Sequence, residues 1–427
     1  MKNIKRVIAT VLVAVFTLGN LGVVSAQDDN VINLWVQYSE ESAEGQVMVN
    51  SAKEFNETNE EGYVVEVSYV PRSGSGGGYE DVINAALTTN TMPDVFTLDG
   101  PNVAAYANSG MLQPIDDYVS NKEDILPSII DQGTFDGQLY AAGYSESGVG
   151  IYYNLDMLEE AGVDLSTLPT VSEPWDWNQF NELLETLYAH YNKPVLNMGF
   201  DDQSEWLLYA FAPYIWSAGG EITNEEGTEA IGVFDSAENT SAFEFIQSLV
   251  ENGYSTITPV EYGFHTGEYA LYMSGSWTMQ QLDSEYKDIN YGVMPYPVSP
   301  DTKELVSPTG SWAYGMSTTT DNPEAAGALI DFLMSEEQLY NMSMGNSVLP
   351  ARQSVADRMM EEVSEPMKVL IEQNTTSGKA RPKLVNYPQV SRTFQQTVTE
   401  STYFEQNPDI KSLLERKAQE IQSYLAQ

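Results

Sequence analysis

Cysteine is absent from the 427 residues, which excludes a disulfide framework, a cysteine nucleophile, a thiolate metal site and a lipid-modified cysteine tether. Histidine is almost absent: His190 and His265 stand neither at metal-ligand spacing nor beside a nucleophile, so histidine-based catalysis is not expected. Basic residues number 19 against 62 acidic ones, a formal charge of −43. Such a surface repels nucleic acid and anionic head groups, and no nucleic-acid partner is expected. There is no G-x-S-x-G elbow and no calcium-loop pattern; Asp201, Asp202, Glu225 and Glu226 read as loop acids. No cofactor and no metal are expected. Ser73 to Gly78 (SGSGGG) lacks the lysine and hydroxyl of a phosphate-binding loop and reads as a flexible connection. Internal repeats and long heptad runs are missing too.

At the amino terminus a basic head (Lys2, Lys5, Arg6), an apolar run from Val7 to Leu18 and the small-residue exit Val24-Ser25-Ala26 form a secretory signal. Cleavage after Ala26 is expected, and it leaves a mature chain more acidic still. Nothing later approaches transmembrane length, so the sequence predicts an exported protein, in the periplasm or at the cell exterior, not anchored through cysteine. The missing lipidation site tilts this towards the periplasm.

A chain of this length predicts two domains or one bilobal unit. Val31 to Val36 suits a buried strand, Met48, Ala52 and Phe55 share a helical face, and Tyr63, Val65, Val67 and Tyr69 alternate as a strand. A helix with Val82, Ala85 and Ala86 inward, a strand at Asp94 to Leu98 and a helix ending near Gly110 follow. This alternation means an α/β lobe with a largely parallel sheet. Further on, Asp176 with Gln179 fits a capping box for a helix burying Trp177, Phe180, Leu184 and Leu187, and Ser335 with Gln338 fits another.

Aromatics carry the functional signal. Trp216, Trp277 and Trp312 each adjoin glycine and serine at a segment end, where a flat ring beside small-residue backbone can stack on a sugar while carboxylates and amides bond its hydroxyls. Trp35, Trp177 and Trp206 fall within strand or helix faces and are expected in the core. With 62 acidic residues, a carboxylate pair by itself says nothing for a glycosidase.

An ordered set of motifs carries a family resemblance: Pro93-Asp94-Val95-Phe96, Tyr106, Gly110-Met111-Leu112, Ile115-Asp116-Asp117-Tyr118, the run Tyr152 to Leu158, Trp177 to Phe180, Gly219-Gly220, Gly267 to Trp277 (GEYALYMSGSW) and Asn322 to Ala326. In order and spacing the chain resembles the extracellular solute-binding proteins of family 1, the sugar-binding receptors of ATP-binding-cassette importers, which include the maltose-binding proteins. The resemblance implies a two-lobed α/β, periplasmic-binding-protein-like fold with a ligand cleft between the lobes. Lobe 1 would comprise residues 27–143 and 310–352, lobe 2 residues 144–309 and 353–427, with crossings near Tyr144 to Gly148, Ser307 to Gly310 and Leu349 to Arg352. It implies ligand contacts from Tyr38, Glu40, Asp99, Asn102, Glu146, Trp216, Trp277 and Trp312, with Arg381 and Tyr387 in the last cleft segment. The implied protein is a monomeric, non-enzymatic receptor for a carbohydrate, with permease subunits as partners. A cationic solute such as a polyamine and, behind it, an exported glycosidase are the alternatives.

Overall fold

The computed structural model describes residues 30–72 and 78–426. The expected signal segment and nearly all of the glycine-rich stretch lie outside these residues.

Two sheets organise the chain. The first runs in the order Leu349–Pro350, Ala141–Glu146, Ser311–Ser317, Val95–Asp99, Val31–Val36, Val64–Tyr69, with Leu112–Gln113 paired to Ser311–Ser317. Val31–Val36 pairs in parallel with both Val64–Tyr69 and Val95–Asp99, as expected where a helix separates each strand from the next. The sheet is less parallel than the sequence predicts. Ser311–Ser317 returns after a long excursion and enters antiparallel to both neighbours. The second sheet, Tyr291–Met294, Val149–Asn154, Leu271–Gly275, Leu196–Asn197, is antiparallel except for its last pair.

Between the sheets the chain crosses at residues 147–148 and again at residue 310. The third crossing, expected at Leu349 to Arg352, comes later: Gln353–Met359 still packs on Leu349–Pro350, and the next helix, Glu365–Ser377, packs on Tyr291–Met294 of the second sheet. Arg352 explains the delay. Its guanidinium donates to the carbonyls of Met334 (2.8 Å), Asn121 (2.5 Å) and Ser120 (2.9 Å), all in the first lobe.

Local signals hold with two corrections. The Asp176 and Gln179 capping box is present in full. Ser335 makes no side-chain cap; Gln338 instead accepts from Ser51 Oγ at 2.6 Å and donates to Glu54 at 3.0 Å, joining two helices. The helix Gly78–Thr89 buries Tyr79, Ile83 and Ala86 and leaves Val82 and Ala85 exposed, because the Tyr79 hydroxyl reaches the Thr97 carbonyl at 2.9 Å and sets the rotation of the helix.

Candidate functional site: an aromatic cavity between the lobes

Where the strands Val31–Val36 and Val95–Asp99 end, a cavity of about 210 Å³ opens between the lobes. Its walls include Arg72, Asp99 and Trp312 from the first lobe, Glu205, Trp206, Tyr209 and Trp277 from the second, and Ser147 and Gly310 from the crossings. The carboxyl ends of parallel strands are where an open α/β sheet leaves a crevice.

Two of the three tryptophans are seated on glycines, and the third stands on a central strand. Trp312 pairs across from Asp99 on the interior strand Ser311–Ser317; the register with Ala141–Glu146 slips beside it, where Tyr144 is the extra residue of the partner strand. Trp277 opens the helix Trp277–Ser284 directly after the strand Leu271–Gly275. Its ring folds back over Gly275, where an added Cβ would stand 2.0 Å from the ring. Trp206 repeats the arrangement over Gly199, whose φ is +69° and where an added Cβ would lie 2.6 Å from the indole nitrogen. That nitrogen donates to the Met198 carbonyl at 3.1 Å. The Trp206 and Trp277 rings meet edge to face, 6.1 Å apart at 79°, and the Arg72 guanidinium lies 4.8 Å above the Trp312 ring.

Arg381 is the electrostatic centre. It is 3 % exposed, grips Asp99 with two bonds (2.7 and 3.1 Å) and donates to Glu205 at 2.8 Å, so one guanidinium joins carboxylates of both lobes. Tyr387, Ser391 and Gln395 donate to the same Glu205 carboxylate. Burial opposes the charge on Arg381, but Asp99, Tyr387 and Glu205 around it hold the guanidinium protonated. Chain positions so far apart meet because Ser307–Thr309 pairs in parallel with Gly378–Ala380, which delivers Gly310 and Arg381 side by side.

The cavity continues on both sides. One neighbouring space of about 470 Å³ shares Arg72, Asp99 and Glu205 and adds Asn102 and Tyr387; another of about 420 Å³ shares Asp202, Trp206 and Trp277. Of the residues expected from the sequence, the structure thus brings Asp99, Trp277, Trp312 and Arg381 to the central cavity, with Asn102 and Tyr387 beside it.

Four do not line it. Tyr38 is 7 % exposed and packs on Tyr69 at 6.3 Å, because the chain bends after Val36 and turns Gln37 and Tyr38 into the core. Glu40 is exposed on the loop beyond. Trp216 is 3 % exposed, covered by Lys379 at 5.1 Å, and borders a different groove of about 870 Å³ with Asp131 and Lys383. Glu146, 1 % exposed, stands behind the cavity and accepts the Gly310 amide at 2.9 Å. Conversely Trp206, expected in the core, lines the cavity. Arg72, Glu205 and Tyr209 are additions that the sequence does not predict, although Glu205-Trp206 just after the polar turn Asp201 to Ser204 carries the same aromatic-at-a-segment-end signal as the others.

Burial pushes the Glu146 carboxyl up to about 7, against the lowering by the Gly310 amide and Arg381. A carboxyl whose pKa is higher in the fold than in the open chain stabilises fully below its unfolded value, and that contribution is lost as pH rises through 7. Glu146→Gln is therefore expected to match the wild type near pH 4.5 and to exceed it in stability by about 3 kcal/mol near pH 8. Urea unfolding at the two pH values checks this; an equal difference at both would contradict it.

Two lobes with adjacent crossings and an aromatic cavity walled from both sides make a receptor that can close on a small solute. The chain belongs to the bacterial extracellular solute-binding proteins, whose family model matches residues 50–369. It is 21% identical over 311 residues to the maltodextrin-binding protein of Bacillus subtilis (67% of this chain, 67% of that protein). It is 22% identical over 304 residues to the galactooligosaccharide-binding protein of the same species, with the same coverage. The cyclic alpha-maltosyl-1,6-maltose binding protein from Arthrobacter globiformis has the same fold, with a TM-score of 0.81 at 21% identity over 92% of this chain and 98% of that one. Among the described residues no helix is long and apolar enough to cross a membrane, and no group of three or more His, Cys, Asp or Glu side chains could hold a metal ion.

Proposed function

We propose that this chain is the ligand-capturing receptor of an ATP-binding-cassette importer and that its ligand is a neutral oligosaccharide held between Trp206, Trp277 and Trp312. The observation that carries the reading is the composition of the central cavity: three indole rings and Tyr209 around a charge-paired set, Asp99, Arg381 and Glu205, drawn from both lobes. Indole faces take the apolar faces of pyranose rings. Paired charges offer fixed donors and acceptors to hydroxyls without requiring a charged ligand. The maltodextrin and galactooligosaccharide ligands of the two Bacillus relatives agree with this. Closure brings both walls onto the sugar and removes water, so that each hydrogen bond strengthens and the closed population, the form that a permease would read, rises with ligand.

The cationic alternative is the weaker one, because two guanidiniums, Arg72 and Arg381, already line the cavity and repel a cation. Hydrolysis is not supported either: Asp99 and Glu205 share one guanidinium instead of standing free on either side of a glycosidic bond. A soluble, monomeric mature chain that works with permease subunits outside the cytoplasm completes the reading.

Calorimetric titration with maltodextrins and galactooligosaccharides tests it. Heat of binding that changes little with added salt, and no new reducing ends on prolonged incubation, are the expected results. No heat with any sugar, or affinity that falls steeply with ionic strength, would overturn it.

A further inference from the structure

The space behind Trp277 is not needed to hold a ligand between the lobes, yet it is twice the size of the central cavity: about 420 against 210 Å³. The two spaces share Trp206, Trp277 and Asp202, so the edge-to-face indole pair forms a corner between them rather than a closed wall. Trp277 is 41 % exposed, far more than a packing residue needs. The remaining lining comes wholly from the second lobe, from the end of Leu196–Asn197, the loop 259–265, the strand Leu271–Gly275 and the first turns of the helix Trp277–Ser284.

Its chemistry is specific. Asp201, Asp202 and Glu261 line it and, among the described residues, no lysine or arginine does, so anionic sugars are repelled and hydroxyl donors are welcomed. Val260 and Tyr262 at its rim are 53 % and 46 % exposed. Tyr262 holds a left-handed backbone, φ +53°, costly for a bulky side chain. His265 also lines the space; it is 7 % exposed, and neither ring nitrogen has a hydrogen-bond partner among the described residues. Burial pushes its pKa below the ordinary value, so the imidazole is neutral and keeps one donor and one acceptor unused.

Resting on the oligosaccharide reading, we propose that this space is an outer subsite that holds the next units of a neutral oligosaccharide on the second lobe alone, before the lobes close. Because no first-lobe residue takes part, the outer units bind the open and closed forms equally. They add affinity with chain length and do not drive closure.

The test is a calorimetric ladder of maltodextrins and of galactooligosaccharides from two to five units, on the wild type, on the double variant Asp201→Ala/Gln281→Ala and on Trp312→Ala. Both residues of the double variant line the outer space and not the central one. The wild type is expected to bind four units at least about tenfold more tightly than two. The double variant should lose that ratio and keep its disaccharide affinity. Trp312→Ala, altered only on the first lobe, should bind all lengths more weakly with the ratio intact. A flat wild-type ladder, a ratio that survives in the double variant, or one that collapses in Trp312→Ala would each overturn the subsite while leaving the receptor reading in place. Absence of binding at every length would overturn the receptor reading, and the subsite with it.

Discussion

Trp277→Ala is expected to weaken sugar binding by about 2 kcal/mol or more, roughly 30-fold, while unfolding stability stays within about 0.5 kcal/mol of the wild type. The two effects separate because the ring is 41 % exposed and serves two spaces rather than a core. Its contacts in the free protein include Trp206, met edge to face, and the bare backbone of Gly275. Removing it takes a stacking face from the ligand on both sides of the corner. Gly275→Ala is the companion variant: a methyl 2.0 Å from the ring must displace it, so affinity should fall although every indole remains. Calorimetry with the tightest-binding oligosaccharide, alongside urea unfolding, reads both. Affinity within threefold of the wild type in Trp277→Ala would remove the ring from the site.

The largest effect on stability is expected from Arg381→Met. The guanidinium is 3 % exposed and neutralises two carboxylates that face each other across the lobes. Deleting it strands both, a loss of about 3–5 kcal/mol. The triple variant Arg381→Met/Asp99→Asn/Glu205→Gln removes the stranded charges with the cation, and much of the loss should return. Denaturant unfolding of the two variants distinguishes them; equal instability would mean that Arg381 acts through packing on Tyr209, 5.0 Å away, and not through charge.

How far the sequence could be read differs between fold and site, for a physical reason. Strands such as Val31–Val36 and caps such as Asp176 are local: period and neighbouring residues determine them. The antiparallel entry of Ser311–Ser317 and the late third crossing are long-range, and nothing within a window of ten residues carries them. At the site, Trp277 and Trp312 were legible because glycine and serine precede each of them. The same rule misled at Trp216, where the small residues follow the ring and form a helix end with Gly219 at φ +86°; they shape a turn and not an approach path. Trp206 was hidden by a helical neighbourhood, although its helix is only four residues long and has too little face to bury a tryptophan. Tyr38 failed through burial: the bend just past Val36 turns its ring into the core instead of the crevice.

The two early crossings lie against each other. Glu146 and Ser311 are paired across the sheet, and the Glu146 carboxylate holds the Gly310 amide at 2.9 Å, so the chain leaves and re-enters the first lobe at one point. Few backbone torsions need to change there when the lobes approach. Fixing one residue's backbone costs roughly 1–2 kcal/mol of conformational entropy, and a pivot of two or three residues that are already tied keeps that cost to a small fraction of the binding energy. The interactions that form as the lobes meet are then left almost entirely for holding the solute.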